Sequence, residues 1–308
     1  MTRHRARAWF AVGVVLAALL AGCGGEPEPP APVYSGILAA AEFVAGPQPN
    51  RFPFGLVDKN GAFLERADVS VRFFELDGED SRFHAEAQAV WREVEGVTPH
   101  VHDDGELHLH LDYAGVYVVD EVAFPSAGIW GAEFVVDGGT LTEGTAFQVQ
   151  AEASAPAVGE AAPRTENLTI HDAPFAEIST RPVESDALHN VSVAQAIDAG
   201  EPFVVFFASP RFCVSALCGP VTDTLERVQQ ELGGAVEVVH IEPWDLDAAR
   251  NEGRLTPSAE MAEWGLPSEP WTFVVNGEGR IAARYEGLVT AEEVLGAVRA
   301  LRADSPPS

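Results

Sequence analysis

Three cysteines occur in the 308 residues, and two of them lie in a stretch suited to thiol chemistry, Ser209-Pro210-Arg211-Phe212-Cys213-Val214-Ser215-Ala216-Leu217-Cys218-Gly219-Pro220. Before it stands a continuous apolar run, Phe203-Val204-Val205-Phe206-Phe207. After it, Leu217, Val221, Leu225, Val228 and Leu232 mark one face of a helix that stops at Gly233-Gly234. The cysteines therefore fall where the carboxyl end of a buried strand meets a helix N-terminus. Partial positive charge there favours a thiolate, which is both the nucleophile and the better leaving group in exchange.

A second set of residues is the histidines His100, His102, His108 and His110, which flank the turn Asp103-Asp104-Gly105. A three-residue loop with glycine in its left-handed third position would pair His102 with Glu106 and His100 with His108. All four imidazoles would then share one face of a hairpin, with Leu107, Leu109 and Leu111 on the other. A two-residue loop at Asp104-Gly105 would split them between both faces. Neutral imidazoles gathered on an exposed sheet suit Cu or Zn, and a solvated polar face is the alternative reading.

The elements that must position these residues fall into two segments. Residues 164–305 alternate helix and strand. Ser192-Val193-Ala194-Gln195 has the form of a capping box with Gly200 as the stop, and residues 236–241 and 271–275 read as strands. Residues 281–285 read as an edge strand after the Asn276-Gly277 turn. Thr290 and Glu293 open a last helix with Val294, Leu295, Val298 and Leu301 on its buried side. This order predicts an α/β layer fold. His240 falls in a strand whose alternation leaves it facing inward or outward, and Trp244, Trp264 and Trp271 read as core. Residues 36–150 instead carry short alternating runs such as Val69-Ser70-Val71-Arg72-Phe73. Lys59-Asn60-Gly61, Asp77-Gly78 and Asp137-Gly138-Gly139 punctuate them, which predicts an all-β antiparallel sandwich. A stretch at 151–163 separates the two and is read as a linker.

Composition narrows the function classes. Nineteen basic residues, with Lys59 the single lysine, stand against 47 acidic ones for a net charge of −28. A nucleic-acid partner is therefore not expected, because phosphate binding needs a basic face. Three cysteines rule out a disulfide-stapled scaffold and a four-cysteine zinc site. At the chain start, Arg3, Arg5 and Arg7 form a positive region and residues 11–20 an apolar stretch too short to span a bilayer comfortably. The small residues Ala21-Gly22 follow. Leu20-Ala21-Gly22-Cys23 resembles the lipobox of bacterial lipoproteins. That resemblance implies removal of residues 1–22, a lipid on Cys23, and an exported protein held to the outer face of the cell membrane. Residues 23–35, rich in Gly, Glu and Pro, read as a tether.

The run Leu56-Val57-Asp58-Lys59-Asn60-Gly61 leading to Ala67-Asp68-Val69-Ser70-Val71, with Gly115-Val116-Tyr117 and Ala127-Gly128-Ile129-Trp130, resembles immunoglobulin-like modules of the YtkA and FixH type. It implies a binding or spacing role for residues 36–150.

At the cysteine junction the chain resembles the thioredoxin-like superfamily, over nearly all of residues 164–305. Gly265-Leu266-Pro267-Ser268-Glu269-Pro270-Trp271-Thr272-Phe273-Val274-Val275, then Gly277 and Glu286-Gly287, matches the half of that fold that carries the cis-proline loop. The resemblance implies a cis Pro270 facing the cysteines and a reversible Cys213–Cys218 disulfide, Cys213 attacking and Cys218 resolving. It implies extracytoplasmic protein thiols or disulfides as partners and no required cofactor. The chain departs from the family in two ways. Four residues rather than two separate the cysteines; five positions apart on one continuous helix they would stand about 140° apart, so pairing requires Cys213 at or before the helix start, or an unwound first turn. Val205 stands where thioredoxins place a buried acid, and no other acid lies in that strand.

The four-residue spacing also resembles the atypical two-cysteine peroxiredoxins of the bacterioferritin-comigratory type, although the threonine of their signature is replaced by Pro210. Sco-type copper chaperones share the fold and use two cysteines with a later histidine, but no histidine stands in residues 242–271. Thiol–disulfide exchange, copper or other metal handling, peroxide reduction and a non-catalytic interaction module with a structural disulfide are the readings carried forward.

Overall fold

The computed structural model describes residues 34–94, 100–101, 107–108, 115–141, 144–182, 186–215 and 217–304. Cys23 with its tether, His102 and His110 lie outside the described residues.

The amino-terminal half is built of strands β1 (Tyr34–Leu38), β2 (Phe43–Val44), β3 (Asn50–Asp58), β4 (Val69–Asp77), β5 (Asp80–Glu93), β6 (His100–Val101), β7 (Leu107–His108), β8 (Gly115–Val122), β9 (Gly128–Val136), β10 (Thr140–Leu141) and β11 (Thr145–Gln150). Nine of them form one sheet in the order β1-β3-β8-β5-β4-β9-β11-β2, with β10 beside β9. The long β5 carries the sheet around. Its first part pairs with β4, starting from the two-residue turn at Gly78, and its last four residues pair with β8. The inward faces then meet: Phe54 of β3 lies against Phe134 of β9 at 4.5 Å between ring centroids, within an apolar core that includes Phe52, Phe73, Tyr117 and Trp130. Along β9 burial alternates, Trp130, Ala132, Phe134 and Val136 pointing in, which is the period-two pattern of a sheet covered on one side.

The short pair β6–β7 joins His100 to His108 in register, the pairing expected for the three-residue loop.

The carboxyl-terminal half contains α1 (Phe175–Ile178), α2 (Val193–Ala199), β12 (Phe203–Phe207), α3 (Cys218–Leu232), β13 (Glu237–Ile241), α4 (Ala259–Glu263), β14 (Trp271–Val275), β15 (Ile281–Glu286) and α5 (Ala291–Asp304). Its sheet runs β13-β12-β14-β15, with β12 parallel to β13 and antiparallel to β14. All five residues of β12 and of β14 are buried; β12 is apolar throughout, as a strand covered on both faces requires, and β14 is apolar except for the buried Thr272. The Ser192 capping box closes α2 at its start and a left-handed Gly200 ends it. The bond between Glu269 and Pro270 is cis. This element order sets the cysteines at the start of α3 and a cis proline before β14, beside one another across the sheet.

The described residues form one compact unit. Val94, Val116 and Val118 of the β-rich half share an apolar cluster with Cys218, Leu288 and Val289. The 151–163 stretch packs along β15. Gly159 N–H donates to Ile281 O at 2.8 Å, Ile281 N–H to Glu160 O at 2.9 Å, and Ala155 and Ala162 are buried. Among the described residues no helix is long and apolar enough to cross a membrane.

Candidate functional site

The site is assembled where β12 hands over to α3. Ala208 and Ser209 continue the buried strand, and an exposed loop carries Arg211 to Ser215 before the helix begins at Cys218. Leu217 is the N-cap of α3 and offers no side-chain acceptor. Leucine is a poor cap, so the first amides of the helix look elsewhere for partners. One of them finds a sulfur: Cys218 N–H donates to Cys213 Sγ at 3.1 Å. Cys213 thus lies before the helix start and acts as its cap, which resolves the 140° separation that a continuous helix would have imposed.

This placement sets the thiol chemistry. The Cys218 side chain, more than any other neighbour, holds the Cys213 thiol below its ordinary value; Ser215 and the Cys218 amide help, while burial and the charge of Glu269 oppose. Cys218 is fully buried, and its burial, reinforced by Cys213 and Glu269, pushes its thiol well up. The pair therefore splits into a poised, half-buried nucleophile and an enclosed thiol that keeps its proton. Both are free, and their sulfurs lie within 4.8 Å of each other.

The third member is Glu269, which the sequence reading did not single out. Its Oε2 accepts from Cys218 Sγ–H and lies 3.4 Å from Cys213 Sγ. Its Oε1 accepts the Val214 amide at 2.7 Å, and its backbone carbonyl accepts from the Ser215 hydroxyl at 3.2 Å. The side chain is 6% exposed. The available signal was its position, immediately before the proline expected to face the cysteines. Cys213, Cys218 and Glu269 are also, among the described residues, a group whose donor atoms could hold a metal ion, two soft sulfurs and one carboxylate oxygen within 4.8 Å of one another.

The loop is fastened from behind by a polar network. Glu242, just past β13, accepts from Thr180 N–H and Thr180 Oγ1–H, both at 2.6 Å, and Thr180 Oγ1 in turn accepts the Arg211 amide at 3.2 Å. Burial pushes the Glu242 carboxyl up to about 7, against the contacts from Ser209 and Thr180 and the charge of Arg250. His240 points inward. Its Nδ1 meets His189 Nε2 at 2.9 Å and its Nε2 meets Ala208 O at 2.8 Å, so both nitrogens are used, and burial drives its pKa well below the imidazole value. Trp264 and Trp271 are core, as expected, while Trp244 is half-buried and lines a cavity of about 490 Å³ whose walls include neither cysteine. The histidines His100 and His108 lie in the β-rich half, outside this assembly.

No family model and no curated protein matches the chain. Among solved structures it is similar to one described as a DsbF homologue from Corynebacterium diphtheriae, at 25% sequence identity over 36% of this chain and 77% of that chain, with a TM-score of 0.29.

Proposed function

We propose that this chain is a membrane-anchored extracytoplasmic thiol–disulfide oxidoreductase working through Cys213 and Cys218, with no cofactor. The observation that carries the reading is the helix amide of Cys218 aimed at Cys213 Sγ, which stabilises negative charge on that sulfur while the neighbouring thiol stays protonated. Val214, 70% exposed beside Cys213, offers an apolar contact to an incoming chain. The partners are protein thiols or disulfides outside the cytoplasm, and the immunoglobulin-like residues 36–150 serve as a binding or spacing module for the catalytic residues 164–305. Cys218→Ser should trap a partner as a mixed disulfide, visible on a non-reducing gel, and the further change Cys213→Ser should abolish it. Absence of any Cys213-dependent adduct would overturn the reading and leave a thioredoxin-shaped interaction module. Anchoring rests on the lipobox at Cys23. Cys23→Ser should move the protein out of the membrane fraction, and unchanged membrane association would refute the anchor.

A second reading is Cu or Zn handling, for which Cys213, Cys218 and Glu269 would be the donors. The histidines His100, His102, His108 and His110 would form a separate weak site, and the backbone register of His100 with His108 agrees with the hairpin it needs. Titrating the reduced full chain with Zn(II) or Cu(I) distinguishes them. Loss of a tight site in Cys213→Ser assigns it to the cysteines, and loss in the double change His100→Ala, His108→Ala assigns it to the hairpin. A chain with no site above background rejects both.

A further inference from the structure

We propose that Glu269 is a catalytic acid–base of the exchange centre, taking the proton of Cys218 as that residue resolves the mixed disulfide. The inference rests on the exchange reading above and supplies the group that β12 lacks, since Val205 and its neighbours in that strand carry no acid.

Three observations support it. One carboxylate oxygen, Oε2, reaches both sulfurs, touching Cys218 Sγ and standing 3.4 Å from Cys213 Sγ. The carboxylate is pinned by the Val214 amide on Oε1 and by the Ser215 hydroxyl on its own carbonyl, both residues of the cysteine loop, so it stays with the loop. Of the other buried titratable groups, His240 is committed to His189 and the Ala208 carbonyl, and Glu242 gives Oε1 to Thr180, while neither touches a cysteine sulfur. Cys218 is fully buried, and Glu269 is the carboxylate in hydrogen-bond contact with its sulfur.

The step balances as follows. The Cys213 thiolate attacks a partner disulfide; the partner S–S bond breaks, a Cys213–partner S–S bond forms and one partner thiolate leaves. The Cys218 proton passes to Glu269 Oε2, and Cys218 sulfur attacks Cys213 Sγ. A Cys213–Cys218 bond forms, the second partner sulfur leaves, and it takes the proton from Glu269. The partner disulfide gains two electrons and the two cysteines lose them. In the opposite direction the same carboxyl protonates Cys218 as it departs.

The test uses one equivalent of 5,5′-dithiobis(2-nitrobenzoate) added to the reduced full chain, because its two thionitrobenzoate releases report the two attacks separately. The first phase requires Cys213 and the second requires Cys218. In Glu269→Gln, which keeps an acceptor for the Val214 amide, the first phase should be retained or faster. The second should slow about 100-fold, within the usual reach of general acid–base catalysis. Glu269→Asp should fall between, and it serves as the test if the glutamine variant does not fold. A second phase within threefold of the unaltered protein in the variant that folds overturns the proposal. A missing first phase in the unaltered protein would instead overturn the exchange reading on which it stands.

Discussion

The backbone amide of Glu42 donates to the Glu286 carboxylate at 2.8 Å across 244 positions of sequence, and the other oxygen of that carboxylate accepts from Ser268 Oγ at 2.5 Å. Ser268 stands two residues before the cis Pro270 and next to Glu269. The β-rich half therefore grips the loop that completes the cysteine site. The grip is reinforced by the Glu42 carboxylate, which takes the Ser154 and Ala155 amides and pairs with Arg284. Arg51 adds a further tie, donating to Glu293 at 2.9 Å and to Leu288 O at 2.8 Å.

Glu42→Ala should cost about 3 kcal/mol of unfolding free energy, because it leaves the largely enclosed Arg284 charge and two amides without their partner. Urea denaturation followed by tryptophan fluorescence measures it. A loss below about 1 kcal/mol would mean that water replaces the carboxylate freely.

The two thiols should separate sharply in reactivity. Alkylation of Cys213 by iodoacetamide should rise with pH through a midpoint below the free-thiol value of about 8.5, while Cys218 should stay unmodified until the protein unfolds. Cys218→Ala removes the largest contribution to that lowering and should move the Cys213 midpoint upward. A midpoint at or above the free-thiol value in the unaltered protein would contradict the geometry.

Glu242 ties stability to pH. Its folded pKa is raised to about 7 from an ordinary 4.5, so the native state holds a proton there that the unfolded chain releases first. The sign follows from linkage: with respect to this group the protein is most stable below about 4.5, loses stability as pH rises, and levels off above about 7. Glu242→Gln keeps an acceptor for Thr180 and should be more stable than the unaltered chain by about 2–3 kcal/mol at pH 8, with the difference vanishing near pH 4.5. A difference that does not change between those two pH values would exclude a raised Glu242.

Ser192→Ala removes one half of the α2 capping box, in which Ser192 Oγ accepts the Gln195 amide at 3.2 Å. Thermal or urea unfolding should show a loss of about 1 kcal/mol, with little change on Ser192→Asp.

The capping box was legible in advance because cap residues act locally, and β12 and β14 were legible because strands covered on both faces are predominantly apolar, with Thr272 the one polar residue between them. β5 was not. Its inward positions next to β4 include Ala87 and Ala89, and its outward ones Glu86 and Gln88, a composition that does not announce a strand; pairing with β4 on one side and β8 on the other makes it one. The Ala- and Pro-rich 151–163 stretch reads as a separator, yet backbone bonds to β15 and two buried alanine methyls hold it. Cys213, Cys218 and Pro270 could be named from spacing and resemblance. Glu269 could not be assigned a role, because its meeting with the sulfurs depends on β12 and β14 lying side by side, and that juxtaposition has no trace in local sequence.

Gly287, at a positive φ of 75°, faces the backbone of the other half so closely that any side chain there would overlap the Ala39 carbonyl oxygen. Surgery on this protein must respect that contact. An excised α/β fragment would present bare backbone and the apolar surface left by Val94, Val116 and Val118, and an excised β fragment would present those valines. A bulky residue at 287 would serve as a wedge, prying the halves apart while leaving each sequence otherwise whole.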